Sequence, residues 1–486
     1  MRRARSLMLV PMFVTGALLL TPVLSCHLER RGAIRRVMVV EGPAWVDVLP
    51  TQRAGLCLLL EDLAETGGAT VLTPLHGDGA PPAGVLRISL EGSRTVSGLR
   101  LQARIRGADG SERDLVPDST DPRDQLQQVL AAAGFRSPAA TAILPNDPVR
   151  LLPLAEVYAA TLAGSDQEAR AAGAQAQTIA AKEPECAPAA LACAESAYRR
   201  LLSPSPTNLE AQMVCSQAFE TALNLLPGYP RAAGEAGRFY TDTGNQRRAL
   251  ELLFNAADLR PRSSGLRIGM AYAARTTGLL EGARTALRAR EALEGAGAGR
   301  DFFPETTYLY TGEWDRFDAW LGSGPGERPD PLPDFYRGYL RLLQGRRDEA
   351  LTNFRAAERP QESDAQFQSL ARVYQLALDG HRPEALLTLR LLTRSRQDLR
   401  VPDGEFTFKL AEAYGFVGAA DEAMDAAQLA FSQGFGCTPW YERTPMLATL
   451  HELPRWRALV SHLQERQKLL EERFPARSFG AKVPGA

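Results

Sequence analysis

Lysine is nearly missing from this 486-residue chain: of 56 basic residues only Lys182, Lys409, Lys468 and Lys482 are not arginine. With 57 acidic residues the net charge is −1, and no basic run with interleaved aromatics occurs, so nucleic acid is not a favoured partner. The preference for Arg reads as genome composition and not as a phosphate-binding face. Histidine is scarce too. His27, His76, His381, His451 and His462 fall in no HExxH or HxxxH spacing, and the cysteines in no CxxC, so neither a metal site nor a cofactor is expected. Glycine-loop, catalytic-loop and metal-binding Asp motifs of phosphoryl transfer are also missing. No catalytic residues are assigned, and the expectation is a protein that is not an enzyme. A hydrophobic content of 45% indicates an ordinary folded chain, longer than one core usually organises.

Two compact polar stretches carry little chemistry. His76-Gly-Asp78 sits in a Gly/Pro-rich loop and reads as a solvated turn. Gly322-Ser-Gly-Pro-Gly-Glu327 has no Lys-Ser/Thr after it and no strand before it, so it reads as a loop between helices and not a phosphate cradle.

The N-terminus is more informative. Arg2, Arg3 and Arg5 precede an uncharged apolar run over residues 7–24, the layout of an export signal. The run ends Val23-Leu24-Ser25-Cys26, which resembles a bacterial lipobox and would make Cys26 the lipidated residue, although Leu24 stands where a smaller residue is preferred. The other reading is a single-pass signal anchor, since about 18 apolar residues can just span a bilayer. Pro11 and Pro22 make that helix poor, and Arg30, Arg31, Arg35 and Arg36 oppose translocation. Both readings tether the chain to a membrane through its N-terminus and place its bulk in the cell envelope, outside the cytoplasm. Apart from Cys26, five cysteines remain: Cys57, Cys186, Cys193, Cys215 and Cys437. Cys186 and Cys193 within one helix would lie about 10 Å apart, beyond disulfide reach. A Cys193–Cys215 bridge between adjacent helices and buried free thiols both stay open.

Over residues 37–140 the pattern is α/β. Strand-like runs at 36–40, 69–75, 85–90 and 99–105 alternate with a helix over 52–65, carrying Leu56, Leu58, Leu59 and Leu63, and an amphipathic helix over 121–133. Ala108-Asp109-Gly110 supplies an Asp-Gly hairpin signal. This β-α-β-β-β-α order, with its Arg-Ile-Arg-Gly-Ala-Asp-Gly-Ser-Glu turn, resembles the TolB N-terminal-like domain. The resemblance covers about 100 residues and departs at Val39-Val40-Glu41-Gly42-Pro43-Ala44, where the family begins Leu-Pro-Phe. It implies a module that in bacteria precedes tetratricopeptide repeats in extracytoplasmic or C-terminal halves of Ser/Thr kinases, adenylate cyclases and membrane-anchored regulators. The catalytic half is not in this sequence.

From residue 150 to 434 the sequence repeats. Gly244, Gly278, Gly312, Gly345, Gly380 and Gly418 are spaced by 34, 34, 33, 35 and 38 residues. Five residues after each lie Ala249, Ala283, Phe317, Ala350, Ala385 and Ala423, so one repeat breaks the rule that a small residue lets the second helix approach the first. Glycine closes the first helix of each pair and proline ends the second, as at Pro261. These registers resemble the tetratricopeptide repeat and predict a mainly α, right-handed α-α solenoid of about eight helix pairs behind the small α/β domain. Residues 435–475 should form C-terminal capping helices and 476–486 a loose tail. Trp314, Phe317 and Trp320 crowd the aberrant repeat and predict a change of superhelical path, with the bend near Pro329–Pro333.

The family resemblance implies that the first helix of each pair lines a concave groove. Six residues before five of the six turn glycines stand Arg238, Tyr272, Tyr339, Tyr374 and Glu412, with Thr241, Arg275 and Gly415 a turn further along. Arg238, Tyr272, Arg275, Tyr339, Tyr374 and Glu412 are therefore the candidate protein-binding residues, three tyrosines forming a ladder suited to an extended peptide. The expected function is an envelope-anchored scaffold for protein–protein interaction. The alternative is a regulatory sensor whose α/β domain binds a ligand.

Overall fold

The computed structural model describes residues 34–72, 84–96, 98–202, 208–295, 302–322, 331–358, 365–397, 399, 401 and 403–483. Cys26, the apolar run before it, His76-Gly-Asp78 and most of the 322–327 loop lie outside the described residues. No helix among them is long and apolar enough to cross a membrane.

A five-stranded sheet opens the fold: β1 (Arg36–Val46), β2 (Thr70–Val71), β3 (Val85–Thr95), β4 (Gly98–Arg106) and β5 (Glu112–Leu115), in the order β2-β1-β3-β4-β5. β1 runs parallel to β2 and β3, and β3-β4-β5 is an antiparallel meander. Strict alternation along β4 sends Leu99, Leu101, Ala103 and Ile105 into one core with Leu56, Leu59 and Leu63 of α1 (Pro50–Thr66) and Leu126, Val129 and Leu130 of α2 (Pro122–Ala132). The sequence pattern indicated four strands; β5 is the addition. It follows the Asp-Gly turn, where Gly110 takes φ +84° and the Asp109 carboxylate accepts from Ser111 N at 3.0 Å and Ser111 Oγ at 2.6 Å.

After the short α3 (Ala140–Ile143), the helices run α4 (Leu151–Leu162), α5 (Asp166–Ala171), α6 (Gly173–Lys182), α7 (Ala187–Leu201), α8 (Asn208–Leu225), α9 (Pro230–Asp242), α10 (Gln246–Leu259), α11 (Ser264–Thr277), α12 (Leu280–Glu294), α13 (Phe302–Thr311), α14 (Trp314–Gly322), α15 (Pro331–Leu343), α16 (Arg347–Ala357), α17 (Ala365–Leu378), α18 (Arg382–Ser395), α19 (Gly404–Val417) and α20 (Ala420–Ser432). From α7 onward they form successive antiparallel pairs, making the protein a mainly α solenoid. All six turn glycines have φ between +75° and +91°, a conformation a Cβ would strain. The residues five positions on, Phe317 included, are fully buried between paired helices.

First helices of neighbouring pairs pack on one another, α9 on α11, α11 on α13, α15 on α17 and α17 on α19, but α13 and α15 make little such contact. There Phe317 of α14 meets Trp320 and, edge-on, Tyr336 of α15, with ring centroids 6.0 Å apart in each case. A bulky ring in the small-residue register takes the place of direct helix–helix approach.

The α/β domain is fused to the array. Gly55 lets α1 cross α4 so closely that a Cβ there would sit 1.8 Å from Ala155 O. Beside it, buried Asp62 accepts from Tyr158 Oη and Tyr229 Oη, both at 2.6 Å, and from Arg231 Nε at 2.7 Å. One carboxylate thus ties α1 to α4 and to the start of α9.

The C-terminus departs from the expected cap and loose tail. α21 (Thr438–Arg443), a 3₁₀ turn (Pro445–Leu450) and α22 (Pro454–Arg473) fold back into the superhelix. Gly436 N donates to Thr276 O at 2.7 Å, and Gln246 Nε2 to Gly434 O at 2.6 Å, joining the array's end to its middle. Residues 476–483 are docked: Phe479 is fully buried, lies edge-on to Phe254 at 4.9 Å, and its carbonyl accepts from Arg267 Nη1 at 3.0 Å. Phe479 and Val483 are apolar anchors, which is why this segment is ordered.

Candidate functional site

The inner face carries one continuous band of charged and aromatic side chains. It begins on α5, where Asp166 accepts from Arg199 Nη1 of α7 at 2.7 Å. Glu195, one turn before Arg199, is 1% exposed and meets Arg238 Nη2 of α9 at 3.2 Å. Arg238 also pairs with Glu235 at 2.7 Å, and its guanidinium lies 4.9 Å over the ring of Tyr198. The hydroxyls of Tyr198 and of Tyr272, on α11, both donate to Asp242 at the end of α9. Arg275 lies 5.1 Å from the ring centroid of Tyr272 and pairs at 2.8 Å with Glu405 of α19, to which Tyr310 of α13 donates at 2.6 Å. The band continues through Lys409, 5.2 Å over Tyr310, to Tyr339 and Glu412.

Its far end is closed. Glu412 is fully buried and accepts from Tyr339 Oη (2.7 Å), Lys409 Nζ (3.0 Å), Trp440 Nε1 (2.9 Å) and Thr444 Oγ1 (2.7 Å). Tyr339 is fully buried with it, and Tyr374 packs flat on Phe354 at 5.0 Å with its hydroxyl against Met446 Sδ at 3.4 Å. Residues 438–450 therefore fill the inner face between α15 and α19. The second half of the tyrosine ladder, Tyr339 and Tyr374, faces the chain's own C-terminal segment instead of open solvent. The physical reason is complementarity: Trp440 and Thr444 supply the donors a buried carboxylate needs.

Of the six residues singled out from the sequence, Arg238, Tyr272, Arg275, Tyr339 and Glu412 share the band; Tyr374 lies beside it. Arg275 is buried, and although desolvation works against its charge, Glu405 holds its pKa above the ordinary value. Arg238 and Tyr272 remain half-buried, with Glu235, Asp242 and Asp403 around the same opening. Burial, then the charge of Glu235, pushes the Glu195 carboxyl up to about 8. Burial and the charges of Asp242 and Glu405 push Asp403 up to about 7, and burial also raises Asp242. Asp403 caps α19 from a backbone with φ +51°, its carboxylate accepting from Glu405 N at 3.1 Å.

The sequence reading missed Glu195, Asp242, Glu405, Lys409, Trp440 and Thr444. A signal existed for two of them. Lys409 is one of four lysines and stands three residues before Glu412 in a helix rich in apolar residues; Glu195 is a lone carboxylate in the alanine-rich α7. Cys57, Cys186, Cys193, Cys215 and Cys437 are all free and buried. Burial pushes Cys193 up to about 11 and Cys186 and Cys437 to about 12, so they are poor nucleophiles. No group of His, Cys, Asp and Glu among the described residues could hold a metal ion.

No protein-family model matches this chain, and no curated protein does. Among solved structures it is similar to a monomeric mutant of IFIT1 with Gppp-AAAA and to a second IFIT1 monomeric mutant with m7Gppp-AAAA. Each likeness has 15% identity and a TM-score of 0.30, over 72% of this chain and 76% of the other.

Proposed function

We propose that this chain is a non-enzymatic scaffold of the tetratricopeptide type, held at the cell envelope through its N-terminus, that binds a protein partner at the half-open end of its inner face. The observation that supports this reading most is the division of the inner-face band. Its Glu412 end is saturated by intrachain partners, whereas Glu235, Arg238, Asp242, Tyr272 and Asp403 keep part of their surface in solvent. Aromatic faces beside charges of both signs suit a peptide segment. The small sheet domain, locked to the array through Asp62, serves in this reading as a rigid spacer of TolB-like type.

Affinity capture from native envelope fractions tests it. The Arg238→Ala/Tyr272→Ala double variant should recover at least ten-fold less partner than wild type, with an unchanged circular dichroism spectrum; undiminished capture overturns the reading. In the same cells palmitate should label wild type and not Cys26→Ala. Label missing from both removes the lipoprotein form of the tether and leaves the single-pass anchor.

A further inference from the structure

We infer that the half-open end of the inner face is a seat for a cationic side chain, an arginine or lysine of an extended peptide, held by the carboxyl pair Glu195–Glu235. The inference rests on the scaffold reading and names the chemistry of its partner.

Carboxyls dominate the opening: Asp166 from α5, Glu195 from α7, Glu235 and Asp242 from α9, and Asp403 from the cap of α19. Facing Glu195 are Tyr198 and Arg199 on its own helix, Glu235, Arg238 and Asp242 on α9, Cys215 on α8 and, through Arg199, Asp166 on α5. Both cations in that set already bridge a second carboxylate, Arg199 to Asp166 at 2.7 Å and Arg238 to Glu235 at 2.7 Å.

Independently of this charge count, the Oε1 oxygen of Glu195 is buried without a hydrogen-bond partner, in a residue 1% exposed. A buried carboxylate oxygen with no donor is costly, and such groups in native proteins call for an explanation. In the free chain a proton fills the role, since burial and then the charge of Glu235 raise the Glu195 carboxyl to about 8. A guanidinium or ammonium would do the same work better, giving N–H donors to both carboxylates and replacing one shared proton with a full positive charge. Binding then releases a proton, so affinity rises as pH passes through the range in which Glu195 ionises.

Fluorescence anisotropy with three labelled decapeptides, (Gly-Arg)5, (Gly-citrulline)5 and (Gly-Glu)5, tests this on the full chain in detergent. The Arg peptide should bind at least ten-fold more tightly at pH 8.5 than at pH 6, and the isosteric citrulline peptide at least ten-fold more weakly than the Arg peptide. Glu195→Gln, which mimics the protonated form and keeps the fold, and Glu235→Gln should each weaken Arg-peptide binding about ten-fold and flatten its pH dependence. Equal binding of the citrulline peptide, affinity indifferent to pH, affinity unchanged in both Gln variants, or no saturable binding of the Arg peptide each overturns the inference. If the neutral or acidic peptide binds instead and Tyr272→Ala abolishes it, the scaffold reading stands while the cationic seat falls. If envelope capture also survives Arg238→Ala/Tyr272→Ala, both fall.

Discussion

Replacing Glu412 by alanine should destabilise the protein by about 3–5 kcal/mol, read as the shift of a urea unfolding curve, and should loosen residues 438–450 before the array itself unfolds. Lys409 is 1% exposed and Glu412 fully buried, so removing the carboxylate strands an ammonium in the interior. Three further donors, Tyr339 Oη, Trp440 Nε1 and Thr444 Oγ1, lose their acceptor at once. Lys409→Met should cost less, because Glu412 keeps three neutral donors. The double variant Lys409→Met/Glu412→Leu removes both charges and should recover part of the loss, since a buried pair gains little over an apolar replacement of its volume. A Glu412→Ala protein as stable as wild type would mean that Trp440 and Thr444 do not hold the C-terminal segment in the inner face.

The same carboxylate marks how far the sequence could be read. Repeats are a local periodicity, so Gly244 to Gly418 and the buried small residues after them fixed the helix pairs and the inward register of Arg238, Tyr272, Tyr339 and Glu412. Phe317 in a small-residue register pointed to a change of superhelical path; among the described residues α13 and α15 make little direct contact there. What closes the inner face is a set of long-range contacts with no period: Gly436 to Thr276, Gln246 to Gly434, Phe479 to Arg267. Nothing in spacing distinguishes a C-terminal helix that caps an array from one that folds back into it. The distinction lies in composition. Trp440, Tyr441, Met446, Leu447 and Leu450 within a dozen residues are more apolar surface than a polar cap needs, and all are buried. The half-open end escaped notice for a similar reason, since Glu195, Asp242 and Asp403 meet only because α7, α9 and α19 converge.

That convergence should make the protein less stable as pH rises from 5 to 8.5, on the order of 3 kcal/mol by urea unfolding at a series of pH values. Among the carboxyls whose pKa values are raised in the folded state, three move furthest: Glu195 to about 8, Asp403 to about 7 and Glu65 to about 7, with burial the largest cause for each. A carboxyl whose folded pKa exceeds its unfolded one contributes stability that is whole below the unfolded value, near 4, and is lost as pH climbs through the folded value. Glu195, 1% exposed, dominates; Asp403 and Glu65 are only partly buried and count for less because solvent reaches them. Carboxylates with lowered pKa, such as Asp121 held by Arg123 and Glu251 held by Arg247, titrate below this window and do not oppose the trend. Glu195→Gln, neutral at every pH, should be as stable as wild type at pH 5, more stable at pH 8.5, and should remove most of the slope. Wild-type stability that rises over the window, or a Glu195→Gln slope equal to wild type, would show that the Glu195–Glu235 pair does not hold its proton, and would remove the pH dependence on which the proposed cationic seat relies.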